Sequence, residues 1–124
     1  MKKILVLDDD TDIVTVVQLV LESNGFEVRA ITRWQKIYAE IETFKPDLIL
    51  LDVSLGNQDG RNICKQIKSD KETQNISVIL FSANLNVEKS VAECMADNFI
   101  AKPFDINELI RGINNELMKT NGTT

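Results

Sequence analysis

The stretch Pro46-Asp47-Leu48-Ile49-Leu50-Leu51-Asp52 decides the fold. Its four consecutive apolar residues lack the alternation of a half-exposed strand and are too few for a helix, so they read as a strand apolar on both faces. Pro46 closes the helix that precedes it, because proline lacks a backbone donor and fixes its own φ. Asp52 then ends the apolar run with a carboxylate. Ile4-Leu5-Val6-Leu7, ended by Asp8-Asp9-Asp10, has the same form. Strands with no solvent-facing side imply a parallel sheet with helices packed on each face.

The rest of the chain supplies those helices. Ile13, Val16, Val17, Val20 and Leu21 follow the first strand at helical spacing, and Asn24-Gly25 stops that helix. Residues 26–31 read as the next strand. Trp34, Ile37, Tyr38 and Ile41 mark a second amphipathic helix. After Asp52 comes a loop with Gly56 and Gly60, then a helix carrying Ile63, Cys64 and Ile67. Residues 76–81 form a fourth strand that ends at Ser82. Val87, Val91, Cys94 and Met95 mark a further helix, residues 98–101 a short fifth strand, and Ile106, Leu109, Ile110, Ile113 and Leu117 the last helix. Five strands alternating with five helices place the chain in the α/β class, as a doubly wound parallel sheet of flavodoxin-like strand order 2-1-3-4-5. Residues 1–119 are read as one domain and 120–124 as a polar tail.

Composition agrees and narrows the function. The chain has 124 residues, 44% hydrophobic and 27% charged, which suits one soluble domain. Nineteen acidic against fourteen basic residues leave a net charge of −5. A nucleic-acid backbone or an anionic membrane would repel such a surface, so neither is an expected partner of this domain. The apolar run after Met1-Lys2-Lys3 stops at Asp8, too soon for a signal peptide, and no stretch approaches the ~20 apolar residues of a membrane span. The cytoplasm is the expected location. Cys64 and Cys94 have no Cys-x-x-Cys spacing, and the chain has no histidine. That disfavours structural zinc and leaves two buried small side chains as the simplest reading.

In a sheet of this kind ligands bind beyond the carboxyl ends of the strands, at the crevice between strands 1 and 3. Strand 1 ends in Asp8, Asp9 and Asp10, strand 3 in Asp52, strand 4 in Ser82 and strand 5 in Lys102-Pro103. Each residue alone is unremarkable in a loop, and Asp10 or Thr11 is expected to cap the first helix. Their convergence on one edge is not explained that way. Carboxylates crowded together raise one another's pKa unless a cation joins them, and a hard divalent ion with oxygen ligands fits, Mg²⁺ first and Mn²⁺ as the alternative.

The runs Lys3-Ile-Leu-Val-Leu-Asp-Asp9, Pro46-Asp-Leu-Ile-Leu-Leu-Asp52, Asp59-Gly60, Phe81-Ser-Ala83 and Lys102-Pro-Phe104 resemble, in order and spacing, the receiver domain of two-component response regulators. The resemblance covers essentially the whole chain. It implies that Asp52 is the phosphoacceptor and that Asp8, Asp9, Asp52 and the backbone carbonyl of Ser54 hold the metal. It also implies that Ser82 and Lys102 bind phosphoryl oxygens and that the Lys102-Pro103 bond is cis. The implied donor is a sensor histidine kinase or a phosphotransfer protein, or a small acyl phosphate. Output would pass to a downstream protein through the face of the fourth helix, fifth strand and fifth helix, with Ser82 and Phe99 as the switch residues. The chain departs from the family pattern in having Gly56 for a frequent proline, Ser82 for a common threonine and Met95 for the glycine usual before the last strand. Phe99 lacks the hydroxyl a tyrosine would offer there.

An enzyme reading competes. Leu5-Val-Leu-Asp8-Asp-Asp10 also resembles the nucleophile motif of haloacid-dehalogenase-like phosphatases, but Asp12 stands where that family has threonine or valine, and the chain is short for that fold. The two readings differ in which aspartate carries the phosphoryl group, Asp8 or Asp52. A third reading, a binding module of the same fold without the chemistry, would be expected to have lost one of these residues.

Overall fold

The structure is a computed structural model and describes residues 1–83 and 94–121. Its five strands are β1 (Lys3–Leu7), β2 (Glu27–Ile31), β3 (Leu48–Asp52), β4 (Ser77–Ser82) and β5 (Asn98–Ala101). They form one sheet in the order β2-β1-β3-β4-β5, and every neighbouring pair is parallel. The helices among the described residues are α1 (Thr11–Ser23), α2 (Ile37–Phe44), α3 (Gly60–Ser69) and α4 (Ile106–Asn121). The helix expected around Val87 and Val91 lies outside the described residues, which resume at its end, Cys94.

The continuous apolar runs behave as their pattern requires. Residues 4–7 and 48–51 are wholly buried, and their side chains divide by parity between two cores. Leu5, Leu7, Ile49 and Leu51 face α2 and α3, with Ile37, Ile41, Ile63 and Ile67. Ile4, Val6, Leu48 and Leu50 face α1 and α4, with Val17, Leu21, Leu109 and Ile113. β2 departs from the expectation of strands buried on both faces. It is an edge strand whose Glu27 and Arg29 are exposed, and alternation in Glu-Val-Arg-Ala-Ile is what an edge position permits.

Local chemistry sets the helix ends. Asp10 caps α1 as expected, its carboxylate accepting from the Asp12 and Ile13 amides at 2.9 and 3.4 Å. Gly25, at φ 89°, turns the chain out of α1 while its N–H donates to the Glu22 carbonyl. α1 buries Val14, Val17 and Leu21, leaving Val16 exposed, so its inner face is rotated slightly from the one the spacing suggested. Trp34 opens a single 3-10 turn (Trp34–Lys36) ahead of α2. α2 stops at Lys45, which takes φ 53° before Pro46, consistent with the exclusion of helical backbone just before proline. α4 continues to Asn121, two residues into the stretch read as tail. Cys64 and Cys94 are free and buried, as their apolar setting suggested. The Cys64 thiol donates to the Cys94 carbonyl at 3.4 Å, and burial pushes its pKa up.

Candidate functional site

A cleft of about 760 Å³ opens at the carboxyl edge of the sheet, between the ends of β1 and β3. Parallel pairing puts the last residues of β1, β3 and β4 side by side, since Leu7 pairs with Leu51 and Asp52 with Phe81. The polar residues that follow these strands therefore share one rim. Asp8, Asp9, Asp52, Ser54, Ser82 and Lys102 all line the cleft. Phe99 does not; it is half-buried one strand over, opposite Leu80, and packs on the core beneath α2 and α3.

Asp8 and Asp52 are buried, while Asp9 is exposed. One carboxylate oxygen from each of the three lies within 4.8 Å of the others. Burying two carboxylates demands compensation, and Lys102 supplies it. Its Nζ is 2.7 Å from Asp8 Oδ2 and 3.4 Å from Asp52 Oδ2. The same ammonium lies 4.5 Å from the centre of the Phe81 ring, which restricts where the charge can sit. Asp8 Oδ1 accepts from the Asp10 amide at 2.9 Å, and Asp52 Oδ1 from the Ser54 amide at 3.4 Å. The Lys102 amide donates to the Ser82 carbonyl at 2.9 Å, and the Lys102-Pro103 bond is cis.

The carboxyl of Asp52 is pushed up from 3.8 to about 6. Burial is the largest cause and the neighbouring Asp8 charge the next, while Lys102 and the Ser54 N–H pull the other way. Asp52 is thus an anion at neutral pH held at a cost, which is the state of a group ready to take up positive charge or form a bond. Three hard oxygen donors this close suit an octahedral Mg²⁺, which is commonly bound through one or two carboxylates with water filling the remaining positions.

Two features of the rim were not found in the sequence. Asp59 caps α3 by accepting from the Arg61 amide at 2.9 Å and binds the Arg61 guanidinium through Nε and Nη2 at 2.6 to 3.0 Å. This holds Asp59 below the usual carboxylate range, chiefly through its side-chain bond to Arg61. Trp34 Nε1 donates to Asn57 Oδ1 at 3.1 Å, tying the loop after Asp52 to the turn before α2. Asp59 stood out in the chain only as part of the Asp59-Gly60 run of the resemblance; its cap and both pairings depend on loop geometry. Gly56 takes φ 73° in that loop, which glycine alone adopts without strain. Gly60 has no room for a side chain, since a Cβ there would lie 2.0 Å from the Asp52 carbonyl oxygen.

A doubly wound parallel sheet with an acidic cleft at its switch point and a lysine brought in from the last strand defines an α/β domain of the receiver class. The chain matches the family model of the response regulator receiver domain over residues 4–114 and belongs to that family. It is 31% identical to the DNA-binding dual master transcriptional regulator RpaA of Synechocystis over 122 residues, 97% of this chain and 51% of that protein. It is 38% identical over 109 residues to the alkaline phosphatase synthesis transcriptional regulatory protein PhoP of Bacillus subtilis, covering 87% of this chain and 45% of that one. Among solved structures, the CheY-like receiver domain protein of Methanospirillum hungatei superposes with a TM-score of 0.90 at 26% identity, over 100% of this chain and 99% of that chain. The BeF3-activated DrrB receiver domain superposes with a TM-score of 0.82 at 28% identity, over 94% and 97%. The chain spans about half the length of the curated relatives it matches. No helix among the described residues is long and apolar enough to cross a membrane.

Proposed function

We propose that the domain accepts a phosphoryl group on Asp52 from the phosphohistidine of a sensor histidine kinase or phosphotransfer protein, and that a small acyl phosphate can serve as an alternative donor. The observation that carries this reading is the placement of Asp52: buried, beside Asp8, and 3.4 Å from the Lys102 ammonium on the floor of an open cleft. An Asp52 oxygen attacks phosphorus, the new O–P bond forms as the donor's N–P or O–P bond breaks, and the electron pair leaves with the donor's leaving group. Water later attacks the same phosphorus and returns the carboxylate. The domain is not a conventional enzyme; it promotes its own phosphorylation and dephosphorylation.

Charge governs the roles of the other residues. Asp8, Asp9, Asp52 and the Ser54 carbonyl would hold Mg²⁺, or Mn²⁺ in its place, and the ion would neutralise the phosphoryl oxygens. Lys102 is close enough to Asp52 to pair with a phosphoryl oxygen once one is attached, and the Ser82 hydroxyl would bond another. Movement of Ser82 toward the phosphoryl group would leave space behind β4 for Phe99, now half-buried, to turn inward. The surface of β5, α4 and the helix expected over 87–95 would then change, and a downstream protein that distinguishes the two states would read it. The work would be done in the cytoplasm, with no nucleic acid or membrane contacted by this domain. Intact-mass spectra after incubation with Mg²⁺ and acetyl phosphate test the assignment: one base-labile phosphoryl group is expected on the wild type and none on Asp52→Asn. Equal labelling of the mutant would place the chemistry elsewhere.

A further inference from the structure

We infer that Arg61 is the first group to engage an anionic phosphodonor at the mouth of the cleft, exchanging Asp59 for the donor's phosphoryl oxygens. This rests on the phosphoacceptor reading of Asp52.

The electrostatics of the cleft pose the problem. Among the described residues that line it, five are aspartates and two are cations, Lys102 and Arg61. An approaching phosphohistidine or acyl phosphate therefore meets a repulsive field that a cation must offset locally. Lys102 is poorly placed to do so, because its side chain is only 16% exposed and is turned inward onto Asp8 and the Phe81 ring. Arg61 is the outer cation, with its side chain 36% exposed.

The backbone brings Arg61 to that position. Gly60 packs directly on the Asp52 carbonyl, and its amide donates to the Val53 carbonyl at 2.7 Å. The first turn of α3 thus sits against the phosphoacceptor strand, and the next side chain along, Arg61, emerges at the rim. A guanidinium presents a planar fork of donors that matches two oxygens of a carboxylate or of a phosphate equally well. Asp59 occupies that fork now, through Nε and Nη2. A phosphoryl group offers the same two-oxygen acceptor with more charge, so the exchange preserves the hydrogen bonds and moves the arginine from a resting partner to the donor. Arg61 acts here as a docking group; bond making stays with Asp52.

Rates of labelling against acetyl phosphate concentration, in Mg²⁺, test this in wild type, Arg61→Gln, Arg61→Lys and Asp59→Asn. Arg61→Gln is expected to label about three- to ten-fold more slowly at low donor, the worth of one exchanged hydrogen-bonded contact, and to approach the wild-type rate at saturation. Arg61→Lys keeps the charge without the fork and should fall between the two. Asp59→Asn preserves the cap of α3 and loosens the hold on Arg61, so it should label faster than wild type at low donor. In the NMR spectrum of the wild type, the Arg61 Nε–H resonance should shift as acetonylphosphonate, an unreactive isostere of acetyl phosphate, is titrated in. An Arg61→Gln protein with lower thermal stability and an unchanged donor dependence would reduce the residue to a helix-capping partner and overturn the inference, as would slower labelling of Asp59→Asn. A wild type that never labels would sink the Asp52 reading and this inference together, whereas normal labelling with Arg61→Gln unaffected would sink the inference alone.

Discussion

Gly60 and Asp52 touch through their backbones: a Cβ built on the glycine would stand 2.0 Å from the aspartate's carbonyl oxygen. The obstacle is main chain, so it cannot swing aside as a side-chain tip would. Gly60→Ala should force α3 away from β3 and lower stability by about 3 kcal/mol, at the upper end of overpacking costs. Gly112→Ala is the control, because its Cβ would meet the Ile100 Cδ1 atom at 3.3 Å, a movable end, and alanine favours the helix. Urea denaturation of both variants decides it; similar losses would mean that the tight contact is relieved some other way.

The raised Asp52 carboxyl predicts a pH dependence in metal-free protein. With a folded value of about 6 against an ordinary 3.8, the folded state binds the proton first as pH falls. The contribution of this group to stability therefore rises as pH drops from 7 toward 4, and above pH 6 its buried charge destabilises the fold. Asp52→Asn should melt higher than wild type at pH 7.5 in EDTA, with the difference shrinking by pH 4.5. Thermal melts of the pair across that range check both the sign and the window.

Removing Lys102 should have the opposite effect. Lys102→Met keeps the stem that packs near Phe81 and leaves Asp8 and Asp52 without their shared cation. Breaking a buried ion pair by deleting one partner costs about 3 kcal/mol or more. The variant is expected to melt well below wild type in EDTA and to recover much of the loss in millimolar Mg²⁺. A loss that Mg²⁺ leaves untouched would assign the lysine a packing role instead.

Met95 occupies a left-handed backbone conformation, φ 66°, in the turn that leads into β5. Such a conformation costs a non-glycine residue about 1 kcal/mol, and at 46% exposure the side chain recovers little by packing. Met95→Gly should raise stability by up to that amount, offset in part by the greater freedom of glycine in the unfolded chain. An unfolding midpoint lower than wild type would show that the methionine side chain contributes more than its exposure suggests.

The strands were legible because their signal is local. Runs such as Leu48-Ile49-Leu50-Leu51, short and bounded by Pro46 and Asp52, fit a strand covered on both sides, and observed ends fall within one residue of the expected ones. The placement of Asp8, Asp9, Asp52 and Ser82 on one rim followed from the strand ends, whereas Ser54 entered only through the resemblance. β2 was less legible, because its edge position is a property of the whole sheet and shows in the chain only as two charged residues, Glu27 and Arg29. The Asp59–Arg61 clasp and the Trp34–Asn57 bond were illegible for the same reason: they depend on where a loop with Gly56 at positive φ directs its side chains. Lys102 was expected at the site, yet its close engagement of Asp8 required the strand order to be realised in space.

That engagement joins residues 94 positions apart in the chain. β1 and β5 are not neighbours; β3 and β4 lie between them. A chain emerging from the ribosome therefore holds the clustered Asp8, Asp9 and Asp52 by residue 52 and receives the lysine that reaches two of them only at residue 102, after the last strand. Until that strand docks, Asp8 and Asp52 lack the ammonium they share and the first strand has no tie to the far side of the sheet. The charge balance at the floor of the cleft is accordingly complete only once β5 has joined the sheet and carried Lys102 to Asp8 and Asp52.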